Sequence, residues 1–317
     1  MTASTAAPAT PSLVRPTKRL GDSVFAGLAL AGGLLILIAL AAVAVFLILQ
    51  SLPAFGVKES DLNNGYASFW AYVVPLVFGT LWAALLALLF AVPFSIAIAL
   101  FISHYAPRRL ARALGSIIDL LAAIPSVVYG AWGIFVFAPF VQPFYSWLSA
   151  TFPWFPLFQG PVSPTGRTIL TVALVLAVMI TPIITALSRE IFLQTPRLNE
   201  EAALALGATR WEMIRIAVLP FGRSGIVSAS MLGLGRALGE TLAVAMVLSP
   251  SVVISFFLVK SENPTTIAAN IALNFPESFG INVNVLIATG LVLFVITFVV
   301  NAASRAVVGN RLAGKGI

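Results

Sequence analysis

Two ionisable residues, Arg236 and Glu240, lie four positions apart inside a long apolar stretch of the sequence. Residues at this spacing share one face of a helix, where their side chains can reach each other. An isolated charge near the centre of a membrane helix costs about 2.5–3.5 kcal/mol on insertion scales, so such residues usually have a function. An arginine can hold an oxyanion through two parallel hydrogen bonds, for which a nearby carboxylate would compete. The pair is typical of an anion path; the alternative is a buried ion pair that fixes helix register.

The overall composition places the chain in a lipid bilayer. Its 317 residues are 60% hydrophobic and only 9% charged, whereas about a quarter of the residues of a soluble domain are charged. Six stretches are long and apolar enough to cross about 30 Å of hydrocarbon. We therefore predict an all-α, polytopic membrane protein with six transmembrane helices, at residues 24–49, 71–102, 117–137, 168–187, 226–248 and 283–300.

The positions of the basic residues predict the orientation of these spans. Fourteen arginines and lysines lie in the two terminal tails and in the second and fourth loops. The opposite side carries Lys58 and Lys260 in its loops, with Arg167 at the mouth of the fourth span. Because basic loops stay in the cytoplasm, both termini are predicted to be cytoplasmic in a multi-pass protein of the cell inner membrane. The same bias accounts for the net charge of +7 without a nucleic-acid partner.

Charge and hydropathy together divide the chain into four parts. Residues 1–22 are predicted to be a disordered cytoplasmic tail, because they are rich in Ala, Thr, Ser and Pro. Residues 23–70 hold the first span and an external segment. Residues 71–310 form the main transmembrane domain, which includes a charged cytoplasmic loop at 188–223. The last part, residues 311–317, is predicted to be a second cytoplasmic tail.

Two external segments carry weaker signals. Residues 138–164 are uncharged and rich in Pro and aromatics, which favours a cap at headgroup level with Trp147 and Trp154 as interfacial anchors. A lipid-facing loop without a specific task is the alternative. Residues 249–282 are predicted to contain one short helix between turns, on a face where a soluble partner could dock.

The charged loop contains the most specific motif of the sequence, NEEAALALGATRWEMIRIAVLP. It is predicted to form two short helices, the first capped by Asn199 and closed by Gly207 in the left-handed conformation. Thr209 and Glu212 have the spacing of a capping box for the second helix, which Pro220 is expected to end. Both helices have an apolar face that suits a groove on another protein, although a connector on the membrane surface is the alternative.

The segment EAALALGA, followed by RIAVLP, resembles the coupling loop of ABC-importer permeases. LGRALGET and AAIPSVVYGAWG narrow the resemblance to the PstC family of phosphate-specific permeases, and it covers most of residues 70–310. It implies a type I ABC-importer permease architecture for that domain. By resemblance, the residues that contact the ATPase are Glu201, Ala202, Ala203 and Gly207.

The same resemblance assigns Arg236 and Glu240 to substrate transport. Ser126, next to a helix break predicted at Pro125, and Thr241 are added as candidate residues of the same path. Asp119 stands where many relatives are expected to have glutamate, and it is predicted to pair with an arginine of the second loop such as Arg112. The alternative for Pro125 is an ordinary proline kink.

The resemblance implies an ATP-driven importer of inorganic phosphate built from several chains. The expected partners are a homologous PstA-like permease, two PstB-like ATP-binding subunits and a PstS-like phosphate-binding protein on the outer face. The sequence has no P-loop motif, so ATP and Mg²⁺ are expected on the partner ATPase, and no cofactor is expected on this chain.

Three other readings of the sequence stay open. They are the sibling PstA-type permease, a permease for another oxyanion, and a secondary anion transporter that works without ATP. An intramembrane protease is disfavoured, because His104, the one histidine of the chain, lies in a predicted loop and the chain has no cysteine. A pure scaffold would leave Arg236 unexplained.

Overall fold

The computed structural model describes residues 20–57 and 67–313, and this part of the chain is almost entirely helical. Its helices are α1 (Leu20–Ser51), α2 (Phe69–Leu100), α3 (Arg108–Ala122), α4 (Ser126–Trp132), α5 (Ala138–Thr151), α6 (Ile169–Leu193), α7 (Arg197–Ala205), α8 (Arg210–Met213), α9 (Leu219–Leu238), α10 (Leu242–Val247), α11 (Ile267–Asn274) and α12 (Ile281–Ala313). Three π-helical turns connect them at Phe101–Tyr105, Gly133–Phe137 and Ile214–Val218, and three 3-10 turns lie at Leu52–Gly56, Pro156–Phe158 and Phe275–Glu277. The two short strands β1 (Pro250–Ser251) and β2 (Asn263–Pro264) pair in parallel.

Six helical segments of the described chain are long and apolar enough to cross a membrane, which confirms the predicted number of spans. They are Gly21–Gly56, Phe69–Tyr105, Ser126–Thr151, Ile169–Leu193, Arg210–Leu238 and Ile281–Ser304. Four of them contain the predicted spans or nearly coincide with them. The third and the fifth differ, and both differences bear on the site.

The third span lies further along the chain than predicted. Residues 117–122 belong to α3, which ends before Pro125, and a new helix begins at Ser126. Proline lacks an N–H group and keeps the preceding residue out of the helical region, so the predicted break at Pro125 is confirmed. The span then continues through a π-helical turn to Thr151. The predicted headgroup cap at 138–164 is therefore wrong for its first half, because uncharged aromatic residues suit a lipid-embedded helix equally well.

Helix α6 forms the centre of the bundle and packs against α2 and α9. Glycines on α9 allow the close approach: a Cβ at Gly233 would lie 2.7 Å from the Ile184 side chain, and one at Gly225 would collide with Ile191. Gly225, Ala229 and Gly233 recur every four residues in the sequence, a pattern that favours close helix packing, and they pack in this way. Gly235, Gly239 and Ala243 recur at the same spacing but form no continuous stripe, because α9 ends at Leu238 and nothing lies within 4 Å of a Cβ at Gly235.

The middle of the segment between α10 and α12 is buried in the bundle. It contains the predicted short helix, α11, and residues 263–270 are all buried. The Thr80 hydroxyl on α2 accepts a hydrogen bond of 2.9 Å from the Ile267 backbone N–H. This central stretch is therefore closed to the soluble partner that the sequence allowed on this face.

The chain divides into two compact units, Met1–Leu49 and Gln50–Ile317. The first contains most of α1, which is apolar between Ser23 and Gln50 and begins at Leu20, inside the tail predicted for 1–22. The second unit contains α2 to α12, and α12 extends to Ala313, into the tail predicted for 311–317. Residues 1–19, 58–66 and 314–317, with the topology markers Lys58 and Lys315, lie outside the described residues.

Candidate substrate path and coupling surface

The fifth span is interrupted in the region of Arg236 and Glu240. Helix α9 ends at Leu238 and α10 begins at Leu242, so Arg236 lies in the last turn of α9 and Glu240 in the break. The prediction that both residues share one face of a continuous helix is therefore wrong. Gly239 and the side chains of the break explain the interruption, since the Thr241 hydroxyl donates a hydrogen bond of 3.2 Å to the Gly239 carbonyl.

The Glu240 side chain caps the next helix. Its carboxylate accepts a hydrogen bond of 3.1 Å from the Ala243 backbone N–H in the first turn of α10, and the residue is 8% exposed. A carboxylate is favoured there because the first N–H groups of a helix lack internal partners and carry partial positive charge. No ion pair joins Glu240 to Arg236 in the part of the chain that the structure describes.

The guanidinium group of Arg236 makes no hydrogen bond through its Nε atom within the described residues. This Nε is buried, while the side chain as a whole is half-buried. The Tyr129 hydroxyl of α4 lies within electrostatic range of Arg236. A buried donor without a partner costs free energy, so this arrangement favours an external acceptor such as an oxyanion.

Helix α4 forms the facing wall of the break. A Cβ at Gly130 would lie 2.9 Å from the Ala243 Cα, so α4 and α10 touch backbone to backbone. The Tyr129 hydroxyl donates a hydrogen bond of 3.0 Å to the Leu121 carbonyl and spans the break before α4. Ser126 is half-buried at the start of α4, and no hydrogen bond joins its side chain to Arg236 among the described residues. The sequence analysis missed Tyr129, although it lies about one helical turn after Ser126.

Arg167 holds the other end of α10. Its guanidinium donates hydrogen bonds to the Met246, Val247 and Leu248 carbonyls at 3.3, 3.3 and 2.8 Å. A cation is favoured at the C-terminus of a helix, where carbonyl groups lack partners. The sequence analysis counted Arg167 only as an external charge, because its partners are backbone groups some 80 positions away. Arg167 also lines a cavity of about 430 Å³ with Gln142 and Thr165.

The charged loop has the turn that the sequence predicts. Gly207 has φ of +87°, and Thr209 and Glu212 form the predicted capping box, with hydrogen bonds of 2.8 and 3.3 Å. Two other predictions are wrong. Helix α7 begins at Arg197, after Pro196, so Asn199 lies inside the helix and does not cap it. Pro220 does not end the second helix, because the wider π-helical turn at Ile214–Val218 accommodates the missing N–H.

Three of the four predicted ATPase contacts lie on the surface. Glu201, Ala202 and Gly207 are exposed, whereas Ala203 is 6% exposed and packs in a cluster with Phe192 and Met213. Ala203 therefore packs inward in this chain, and the contact roles of all four residues stay a prediction. We call the exposed residues Glu201, Ala202, Leu206 and Gly207 the coupling surface.

Helix α7 is also tied to the end of the second span. The Nε2 atom of His104 lies 3.5 Å from the Glu200 carboxylate, and its Nδ1 lies 2.7 Å from the Ser103 hydroxyl. Since α6 leads into α7, two spans meet beneath the coupling surface, and a displacement of α7 would be transmitted to both.

Asp119 does not pair as predicted. It is exposed on α3, and no ion pair with Arg112 occurs within the described ranges. Asp119 lines an open cavity with several arginines, and at such an exposed position an ion pair contributes little to stability.

Comparison with known proteins agrees with this geometry. Residues 91–310 match the family described as the binding-protein-dependent transport system inner membrane component. The chain is 44% identical over 314 residues to the phosphate transport system permease protein PstC 2 of Mycobacterium tuberculosis, covering 95% of both chains. It is 43% identical to the PstC protein of Mycobacterium leprae, covering 86% of this chain and 88% of the relative.

Solved structures show the same fold at low sequence identity. A bacterial ABC transporter involved in the import of the acidic polysaccharide alginate aligns with a TM-score of 0.59 at 20% identity, covering 90% of this chain and 96% of that chain. The same kind of transporter in complex with an alginate pentasaccharide-bound periplasmic protein aligns with a TM-score of 0.61 at 19% identity, covering 91% and 96%.

The fold and the interrupted fifth span define a multi-pass transport permease of the type I ABC-importer architecture. The chain belongs to the family of binding-protein-dependent transport system inner membrane components, and within it to the PstC permeases. The sibling PstA reading is not favoured by these relatives.

Proposed function

We propose that this chain is the permease subunit of an ATP-driven importer that carries inorganic phosphate across the cytoplasmic membrane. Relatives at 43–44% identity bear the name of a phosphate transport permease, and the identity extends over most of the chain. These relatives do not favour the remaining alternatives, a permease for another oxyanion and a secondary transporter.

The structural observation that supports the proposal concerns Arg236. Arg236 presents a guanidinium without an internal partner at the point where the fifth span is broken. Phosphate is a tetrahedral oxyanion whose oxygens accept paired N–H donors, and a planar guanidinium supplies two in one plane. Glu240, a nearby carboxylate engaged with the α10 backbone, adds negative charge that would keep binding weak enough for release.

The proposed assembly contains four kinds of subunit. A PstA-like permease completes the membrane pathway, two PstB-like subunits bind ATP and Mg²⁺ and hydrolyse ATP, and a PstS-like protein delivers phosphate from outside. The present chain binds no nucleotide and performs no catalysis in this assembly. A solved structural neighbour in complex with a periplasmic binding protein supports an external partner of this kind.

The coupling surface is proposed to face the cytoplasm and to dock on an ATP-binding subunit, in a chain with both termini cytoplasmic. The excess of basic residues in this loop and in the second loop supports the orientation. ATP binding would draw the two coupling loops together, and α7 would transmit this movement to the second and fourth spans through Glu200 and α6. The pathway would then open outward to receive phosphate.

Uptake of radiolabelled phosphate by cells that depend on this chain tests the proposed substrate. We expect uptake that requires ATP and is competed by arsenate, a tetrahedral anion of similar charge, and far less by sulfate. Sulfate that competes as well as arsenate would assign the permease to another oxyanion. Uptake that persists without the ATP-binding subunit would favour a secondary transporter.

A further inference from the structure

A second cluster of arginines lines a cavity on the face that carries the coupling surface. The cavity has a volume of about 600 Å³ and lies between α3, the end of α6 and the start of α7. Its charged lining residues are Arg108, Arg112, Asp119, Arg189 and Arg197. None of its lining residues belongs to the break between α9 and α10, so it is separate from the proposed substrate path.

The arginines that line this cavity outnumber the carboxylates that could neutralise them. Arg189 pairs with Glu190, whose carboxylate lies 2.7 Å from an Arg189 amino nitrogen. Arg108, Arg112 and Arg197 make no ion pair within the described residues, and Asp119 is the one carboxylate in the lining. Guanidinium groups that line one cavity and lack a carboxylate partner repel one another, so an anion among them is favoured.

The backbone of α3 leaves room for this arginine cluster. A Cβ on Gly115 of α3 would collide with the Arg189 guanidinium, so the absence of a side chain lets Arg189 lie directly over the helix. The first turn of α3 contributes as well, because its preceding residue, Pro107, provides no side-chain cap and leaves backbone N–H groups free. The Arg189 side chain is 17% exposed, so one wall of the cavity is partly desolvated.

Helix α3 also places the cavity at the edge of the lipid. Its polar residues Arg112, Ser116 and Asp119 line the cavity, while Leu120 and Ile117 on its other side are 70% and 51% exposed. An amphipathic helix of this kind lies in the membrane interface with its apolar side among the acyl chains. A phosphate group can therefore reach the arginines either from water or from a lipid headgroup.

We propose that this cavity is a binding site for a phosphate group, which ties α3 to the start of α7 and thereby sets the position of the coupling surface. Guanidinium groups hold phosphate oxygens in paired hydrogen bonds, and an anion bridging Arg112 on α3 and Arg197 on α7 would link both helices. The ligand is either free inorganic phosphate or the headgroup of an anionic lipid, which share this chemistry.

Binding of radiolabelled phosphate to the purified complex tests the proposal. The two permeases and the ATP-binding subunits, without the external phosphate-binding protein, would be held in nanodiscs of zwitterionic phosphatidylcholine, and this chain would carry Arg236→Gln, which removes the proposed path site. We expect saturable binding that weakens about tenfold or more with Arg112→Gln. The matched control is Arg109→Gln, on the same helix but outside the cavity lining, which should bind as before. Gly115→Ala should also weaken binding, because it displaces Arg189 without changing any charge.

Nanodiscs that contain phosphatidic acid distinguish the two sources. Phosphate binding that is unchanged in these discs identifies the free anion as the ligand. The headgroup is identified as the ligand if phosphate no longer binds and the complex retains phosphatidic acid. In that case Arg112→Gln should abolish the retention of phosphatidic acid. Absence of both phosphate and retained phosphatidic acid would overturn the proposal, and so would equal losses for Arg112→Gln and Arg109→Gln. Phosphate uptake by the parent chain is measured separately. A negative binding result for the cavity would therefore leave the proposed transport function unaffected.

Discussion

The Glu240 carboxylate accepts a hydrogen bond from the Ala243 backbone N–H, and this contact replaces the ion pair with Arg236 that their spacing predicts. Glu240 therefore caps the short helix α10, and the Nε of Arg236 has no hydrogen-bond partner among the described residues. The tasks proposed for the two residues differ, and substitutions can separate them.

Replacing Glu240 tests the capping role. Glu240→Ala removes the acceptor at the start of α10 and should lower the free energy of unfolding by about 1 kcal/mol, as is typical of a lost helix cap. Glu240→Gln keeps an acceptor oxygen and should lose less. Thermal unfolding of the purified complex, with Ser228→Ala on the exposed side of α9 as control, measures the difference. Equal stability of Glu240→Ala and the parent chain would show that the cap contributes nothing.

Arg167 should be as necessary to α10 as Glu240. Arg167→Met removes three hydrogen bonds and leaves carbonyls of residues 246–248 without their donor, so we expect a loss of about 2 kcal/mol in stability. Phosphate uptake should fall as well, because α10 adjoins the break, while the ATP-binding subunit should stay bound. Arg167→Lys should retain part of both properties. Uptake and unfolding temperature of Arg167→Met that match the parent chain would contradict the assignment.

Gly207 tests the geometry of the coupling surface. Its φ of +87° disfavours other residues, and nothing lies within 4 Å of an added Cβ, so the effect of a substitution comes from the backbone. Gly207→Val should cost about 1–2 kcal/mol in this turn and uncouple ATP hydrolysis from transport. Gly207→Asn is the matched control, because asparagine tolerates the left-handed conformation. Phosphate-stimulated ATPase activity measures both, and normal stimulation in Gly207→Val would refute a docking role for this turn.

Cysteine labelling tests the proposed orientation without background, since the chain has no cysteine of its own. We expect an impermeant thiol reagent to label Lys260→Cys in intact cells and to label Arg210→Cys only after the membrane is opened. Arg210 belongs to the basic loop and is exposed, so its accessibility reports the side of the membrane and not burial. Labelling of Arg210→Cys in intact cells would reverse the orientation.

Hydropathy was sufficient to predict the six spans, because a stretch of about 20 apolar residues is stable in the hydrocarbon core of a membrane. Local chemistry also predicted Gly207, the capping box at Thr209 and the break at Pro125. Each of these depends on residues that are close in sequence, and the structure has all three.

The sequence did not reveal the break after α9 or the role of Arg167. Gly239 belongs to a periodic run of small residues, so it could not be told apart from a packing glycine. Arg167 binds carbonyls that only the folded bundle brings near it. Ala203 was assigned by motif alone, and its inward direction depends on the packing of α7 against Phe192.

Phosphate uptake by the double variant Arg236→Gln with Glu240→Gln, at matched expression, tests the central claim most directly. If Arg236 binds the anion, this variant should stay as inactive as Arg236→Gln alone while it still assembles with the ATP-binding subunit, and Arg236→Lys should also be strongly impaired. Arg223→Gln, an exposed arginine lost from the same helix, should transport normally. Near-normal uptake by the double variant would show that the two charges serve only each other, and would contradict the assignment of Arg236 to the substrate path.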